Sequence, residues 1–290
     1  MHTDSPNRCT TLENHIEDCE KCDGQVEREL ISVFPESNIC LDCMEVSEKR
    51  QLEEDLRMTQ EINKSLLSRF DLRSGSWEVG IHYHSSRILS GDFYDVVFDP
   101  SSRVLAIALG DVAGKGIPAA LLRTSLQATL RALSGEDTAP SRILEKANQQ
   151  FSLVSHPGRF ASAFFAIVNG GHSMVFANAG HLPPLLRKAS GRWERLNPTG
   201  PVLGLFENVS VEQGVCSVES GDLLILYTDG VTESRNPAGE YLDEKGLIET
   251  YERLNGETAQ EVANLLGEEL NRYTLAPPED DQTLLIVRRL

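Results

Sequence analysis

The sequence has no apolar stretch approaching the roughly 20 residues that a membrane-spanning helix needs. It has no basic surplus either, with 27 Lys and Arg against 44 Asp and Glu. The resulting net charge of −17 disfavours non-specific binding to DNA or to anionic lipid, so neither a nucleic acid nor a membrane is expected as partner. The opening Met1-His-Thr-Asp-Ser-Pro6 lacks the basic and apolar regions of a signal peptide, which points to a cytoplasmic location. Phosphate-loop chemistry is excluded by the absence of a G-x-x-x-x-G-K-[ST] run. No Cys or Ser nucleophile motif, internal repeat or low-complexity tract is present. The 290 residues, 40% hydrophobic and 24% charged, suit a soluble chain with one large domain and one small one.

Cysteine is scarce beyond residue 43, and five of the six lie at or before it. Cys19-x-x-Cys22 and Cys40-x-x-Cys43 are separated by seventeen residues, a zinc-site spacing. A module of 45 residues has too little core to hold itself, and one tetrahedral Zn²⁺ on four thiolates would staple it. The competing reading is two chance pairs, one of them redox-active. Cys9 and Cys216 have no such partners, and Cys216 reads as a strand residue. The segments Cys19-Glu-Lys-Cys22, Ile31-Ser-Val-Phe-Pro35 and Asn38-Ile-Cys-Leu-Asp-Cys43 resemble the DksA/TraR-type zinc finger. The resemblance implies the zinc fold. The family's long hairpin has no room in the eighteen residues before Cys19, and the acidity of residues 1–45 opposes nucleic-acid readout.

Residues 46–70 contain no Gly or Pro and read as a helical linker. Leu52, Leu56, Thr59, Asn63, Leu66 and Phe70 recur at spacings of four and three, as in a two-stranded coiled coil with Asn63 at an a position. A homodimer through this segment is one expectation; an amphipathic helix on its own domain is the other.

From residue 71 onward the pattern is α+β. Strand-like runs cover 77–84, 93–98, 104–109, 161–168, 173–177, 223–227 and 284–288, and helical patterns cover 118–133, 141–154, 243–253 and 259–273. Short turns between consecutive strands, with helices in blocks, disfavour a doubly wound sheet. Four acidic signatures stand out: Ser90-Gly-Asp-Phe-Tyr-Asp95, Gly110-Asp-Val-Ala-Gly-Lys-Gly116, Tyr227-Thr-Asp-Gly-Val-Thr-Glu233 and Glu279-Asp-Asp-Gln-Thr283. Asp111 and Asp229 are expected directly after buried strands, with Gly230 permitting a tight turn, and Asp280 and Asp281 directly before one. Carboxylates converging at strand ends repel unless cations lie between them, so the set points to an oxygen-ligand divalent site. Gly114-Lys-Gly-Ile-Pro-Ala119 also fits a dinucleotide fingerprint, but Asp111 would repel a pyrophosphate there. His82 and His84 share a strand face, His181 reads as structural, and Lys115 as a loop lysine near the carboxylates.

Residues 75–290 resemble the SpoIIE/RsbU-type bacterial branch of the PPM (protein phosphatase 2C-like) phosphatases. The matching segments are 90–95, 110–119, Asn178-Ala-Gly-His-Leu-Pro-Pro184, 226–233 and 280–283, in the family's order. The resemblance implies a central β-sandwich flanked by helices and two Mn²⁺ or Mg²⁺ ions at one end. It implies Asp111 as the bridging carboxylate, the Val112 carbonyl as a further ligand, and Asp229 and Asp280 on the second ion, with Asp281 the substitute if the register shifts by one. Asp92 would act through water. Asp92, Asp111, Asp229 and Asp280 are thus the expected catalytic set. Ala113 stands where the eukaryotic members carry a general-acid His, so the leaving-group proton would come from elsewhere. The implied function is dephosphorylation of phosphoserine or phosphothreonine on a bacterial signalling protein, such as an anti-sigma-factor antagonist. The alternative is a non-catalytic, zinc-bearing scaffold or a transcription-associated regulator. The expected domains are a finger over 1–45, a linker over 46–70 and a phosphatase-type domain over 71–290.

Overall fold

The computed structural model describes residues 16–18, 25–27, 46–66, 73–135, 139–156, 158–168, 172–274 and 277–290. Cys19, Cys22, Cys40 and Cys43 lie outside the described residues, as does the end of the linker from residue 67. The chain divides into Met1–Ile62 and Asn63–Leu290. In the first unit β1 (Ile16–Asp18) pairs antiparallel with β2 (Gln25–Glu27). Helix α1 (Val46–Leu66) follows, and its last residues belong to the second unit. Among the described residues no helix is long and apolar enough to cross a membrane.

The second unit is built on two antiparallel sheets. One contains β3 (Arg73–Ser74), β4 (Trp77–His84), β9 (Leu185–Arg187), β10 (Trp193–Arg195), β12 (Leu223–Tyr227) and β13 (Gln282–Arg289), in the order β10-β9-β12-β13-β4-β3. The other contains β5 (Phe93–Asp99), β6 (Val104–Val112), β7 (Ala161–Val168), β8 (Ser173–Ala179) and β11 (Gly214–Ser217), in the order β11-β8-β7-β6-β5. Cys216 is in β11, as its flanking residues predict.

Each sheet is covered on both faces, and strand alternation decides which residue goes where. Leu105, Ile107, Leu109, Leu224, Leu226, Leu285 and Val287 point between the sheets into one core. Ala108 and Val112 face the other way, against Leu126 and Leu130 of α2 (Ile117–Ser134) and Ile143, Ala147 and Phe151 of α3 (Pro140–Val154). Leu223, Ile225, Leu284 and Ile286 pack on Leu247 of α5 (Asp243–Arg253) and Val262, Leu266 and Leu270 of α6 (Ala259–Thr274). The result is a helix–sheet–sheet–helix sandwich. Burial on both faces is why these strands read as unbroken apolar runs in the sequence. Both α2 and α3 carry Pro at their first turn, where the missing N–H is no loss.

His82 leans on α6, and a Cβ at Gly267 would lie 2.2 Å from its Nδ1. Its imidazole therefore fills a strand–helix contact, while His84 is exposed. Asn63 is nearly buried, and its amide oxygen accepts a hydrogen bond from Arg123 of the same chain.

Candidate active site

The ladder brings the acidic residues to one end of the sandwich. Tyr227, the last residue of β12, pairs with Leu284 near the start of β13, and His84 at the end of β4 pairs with Gln282. Phe93 at the start of β5 pairs with Gly110 near the end of β6. The segments before β5 and β13 and those after β4, β6 and β12 therefore meet at this end. They carry Asp92, Asp111, Asp229, Asp280 and Asp281.

Two local expectations are corrected. Asp111 is not beyond its strand: β6 continues to Val112 because Asp111 and Val112 pair with Ser162 and Ala161 of β7. Asp229 opens a short helix, α4 (Asp229–Thr232), and Gly230 serves close approach rather than a turn. A Cβ on Gly230 would lie 2.1 Å from the Asp281 carbonyl oxygen, so only glycine lets α4 touch the start of β13.

Gly91 has a similar task. A Cβ there would come within 2.7 Å of the Val112 carbonyl oxygen and 2.9 Å of Asp111 Oδ1. The carbonyl and carboxylate thus open on one spot that a side chain would fill. The Val112 N–H in turn donates to the Gly91 carbonyl at 3.3 Å, fastening the loop to the strand.

Asp92 is 1% exposed, and its Oδ2 accepts hydrogen bonds from Thr228 Oγ1 at 2.7 Å and Thr283 Oγ1 at 2.6 Å. Burial raises its pKa well above the carboxylate range, with Asp111 adding to the rise and the two threonines opposing it. Asp111 is pushed up to about 7 by burial, then by Asp229, Asp280 and Asp281. Asp229 is also raised, by burial, Asp280 and Glu233, while the Gly230 N–H and Lys115 act in the opposite direction. The Gly230 N–H donates to Asp229 Oδ1 at 2.8 Å.

Asp280 and Asp281 have separate partners. Lys115 Nζ lies 3.1 Å from Asp280 Oδ2 and donates to the Glu279 carbonyl at 2.9 Å. Asp281 Oδ1 accepts from the Ser86 N–H at 2.7 Å, Ser86 Oγ at 3.0 Å and Ser85 Oγ at 3.4 Å. Its Oδ2 accepts from the Gly91 N–H at 3.2 Å. Asp281 thereby ties the segment between β4 and β5 to the start of β13.

Among the described residues no three Asp, Glu, His or Cys side chains are drawn together tightly enough to enclose one ion. Asp92, Asp229, Asp280 and Asp281 are each turned to donors of their own instead. The donor set nevertheless fits hard divalent cations: oxygen ligands only, mutual repulsion that raises proton affinity, and a lysine ammonium on Asp280 as the neutralising charge. Asp111, the Val112 carbonyl, Asp229 and Asp280 have the chemistry to hold such ions.

Several participants have roles that the sequence does not reveal. Thr228 and Thr283 matter through Asp92, distant in the chain. Arg123 is fully buried in α2, with Nη1 3.5 Å from the Asp92 carbonyl oxygen. Thr283→Val should cost about 1–3 kcal/mol of stability, the usual range when a buried polar group loses its partner. Urea unfolding of the metal-free protein measures this, and an unchanged midpoint would show that the bond contributes nothing.

A cavity of about 420 Å³ adjoins the acidic centre and is lined by Asp111, Ser162, His181, Val202, Asp229 and Glu233, among others. His181 is buried and lies beside the centre, closer than its structural reading in the sequence suggested. Its Nδ1 is 2.7 Å from Ser162 Oγ, and its N–H donates to Asn178 Oδ1 at 2.8 Å. Burial pushes the imidazole down to about 4, so it is neutral at physiological pH. A larger cavity of about 540 Å³ between α5 and α6 contains none of the five aspartates.

Comparison with known proteins agrees with this geometry. The family described as Stage II sporulation protein E (SpoIIE) matches residues 101–290. Phosphoserine phosphatase RsbU of Bacillus subtilis is 28% identical over 243 residues, covering 83% of this chain and 72% of RsbU. Protein IcfG of Synechocystis is 28% identical over 242 residues, 73% of this chain but only 38% of IcfG, so the chain spans less than half of that relative. Among solved structures, the SiaA-PP2C domain of Pseudomonas aeruginosa superposes with a TM-score of 0.73 at 18% identity, covering 85% of this chain and all of that domain. The likeness in structure establishes a PP2C-type fold, two antiparallel sheets between helices, and the family match establishes descent: the chain belongs to the SpoIIE family.

Proposed function

We propose that the chain is a divalent-metal-dependent protein phosphatase that hydrolyses phosphoserine or phosphothreonine on a bacterial signalling protein. One observation carries this reading: carboxylates from four separate segments gather at one end of the sandwich, with proton affinities raised by burial and by one another. The match to a phosphoserine phosphatase over most of both chains supports the reaction type. An anti-sigma-factor antagonist is the substrate class proposed by analogy. A non-catalytic scaffold is disfavoured because none of Asp92, Asp111, Asp229 and Asp280 has been lost.

In this reading Asp111, the Val112 carbonyl, Asp229 and Asp280 would hold two Mn²⁺ or Mg²⁺ ions, with Asp111 as the shared carboxylate, and Asp92 would act through water. Bound there, the ions supply a nucleophilic water at neutral pH and positive charge for the phosphoryl oxygens. The protein's own groups orient this set. Thr228 and Thr283 fix the Asp92 carboxylate, the Gly230 N–H fixes Asp229, and Gly91 leaves the Asp111–Val112 spot open. Lys115 pairs with Asp280, and a cation held there would compete with it for the carboxylate. Neutral His181 and Ala113 leave leaving-group protonation to water or to the substrate's surroundings.

The paired Cys-x-x-Cys spacing supports one structural zinc on Cys19, Cys22, Cys40 and Cys43 in a DksA/TraR-like finger, and reduced thiols suit a cytoplasmic setting. The heptad spacing supports a homodimer through residues 46–70, although Asn63 is engaged by Arg123 rather than left for a seam. For the catalytic reading the test is hydrolysis of para-nitrophenyl phosphate and a phosphoserine peptide by the full chain. Activity should vanish in chelator and return with Mn²⁺ or Mg²⁺. Turnover that persists in excess chelator would overturn the proposal.

A further inference from the structure

The 420 Å³ cavity shares Asp111 and Asp229 with the acidic centre and is larger than the cavity of about 170 Å³ beside Asp280, so it has the room for the chain of a phosphorylated residue bound there. The remaining lining decides what can follow it. Phe160, Leu182, Pro183, Pro198 and Val202 form an apolar wall, and no Lys or Arg lines the cavity. The only further charge is Glu233, which repels an acidic neighbour.

The polar floor is engaged within the protein except at His181 Nε2, which is buried without a hydrogen-bond partner. Ser162 and His181 are hydrogen-bonded to each other, and His181 is held through its N–H by Asn178, itself bound to the Leu196 carbonyl at 3.2 Å. The imidazole is uncharged and has the Tyr227 carbonyl beside it. Such a floor offers little to a charged side chain, whose desolvation would go uncompensated, whereas an aliphatic side chain gains by covering the apolar wall.

We infer that this cavity is a specificity subsite that takes an uncharged aliphatic side chain next to the phosphorylated residue of the substrate. The inference rests on the phosphatase reading above and adds to it the sequence context of the substrate. An acidic flank is repelled by Glu233 and the apolar wall, so the phosphate is the one anionic group the site accepts.

The test is kcat/KM on synthetic phosphoserine peptides that differ only in the residue before or after the phosphoserine: Leu, Ala, Lys or Asp. Leu on one of the two sides should exceed Ala by about tenfold, the usual discrimination of an apolar pocket, and Asp should be lowest. The Leu-to-Asp ratio should collapse in Val202→Lys, which offers an acidic flank a cation, and the Leu-to-Ala ratio should shrink in Phe160→Ala, whose side chain is 39% exposed and removable without opening the core. Ratios within one enzyme cancel any change in its overall competence. Hydrolysis of para-nitrophenyl phosphate without any flanking preference, or a Leu preference that persists in both variants, overturns the subsite alone. Failure to hydrolyse any ester, para-nitrophenyl phosphate included, overturns the phosphatase reading and the subsite with it.

Discussion

Asp111→Asn should abolish metal-dependent hydrolysis and, in metal-free buffer, make the protein more stable. Loss of the bridging position is expected to lower kcat/KM by at least about a thousandfold, on the order of 4 kcal/mol of barrier. The stability effect follows from the same carboxylate. Burial and the neighbouring aspartates raise Asp111 from 3.8 to about 7. Between those two pH values the folded protein holds a proton that the unfolded chain has released, so stability falls as pH rises through this window. Asparagine has no proton to lose, and the variant should escape that loss. Thermal melts in chelator at pH 8 should show a higher Tm for Asp111→Asn, by about 2–4 °C for each kcal/mol relieved. Excess Mn²⁺ or Mg²⁺ should reverse the order, because a cation that binds only the folded state stabilises the wild type more. A variant melting below wild type in chelator would contradict the electrostatic account.

Gly230→Ala should have nearly as large an effect on rate without changing any charge. The added methyl would lie 2.1 Å from the Asp281 carbonyl oxygen, a backbone atom that cannot swing aside. Helix α4 must then separate from β13, carrying Asp229 away from Asp280. Displacements near 1 Å commonly cost about a hundredfold in rate, and overpacking of this kind costs about 1–3 kcal/mol of stability. Steady-state kinetics with a small phosphomonoester and a thermal melt measure both. Unchanged kcat/KM would mean that α4 and β13 do not need their close contact.

Much of this architecture was legible in the sequence because covered strands declare themselves as apolar runs. The ranges 77–84, 161–168 and 223–227 coincide with β4, β7 and β12, and 243–253 with α5. Strands β9 and β10, of three residues each, were not legible, since so short a run sets up no period. Asp111 was misplaced by the same logic: Gly110 and Asp111 break an apolar run, yet pairing with Ala163 and Ser162 carries the strand through them. Gly230 shows a different limit. A glycine after an aspartate suggests a turn, while its task depends on Asp281, far along the chain. Thr228 and Thr283 stand inside the acidic signatures, but their roles, like that of Arg123 outside them, were hidden because those roles lie wholly in what faces them.

The position of β13 in its sheet has a consequence for synthesis. Although formed by residues 282–289, it is inserted between β12 and β4, two strands made much earlier. A nascent chain that has emerged as far as α4 already carries Asp92, Asp111 and Asp229. It lacks Asp280, the Asp281 fastening of the segment after β4, and the Thr283 hydroxyl that fixes Asp92. The six-stranded sheet cannot close around its centre until those residues leave the ribosome. A chain that lacks β13 therefore has no assembled acidic centre.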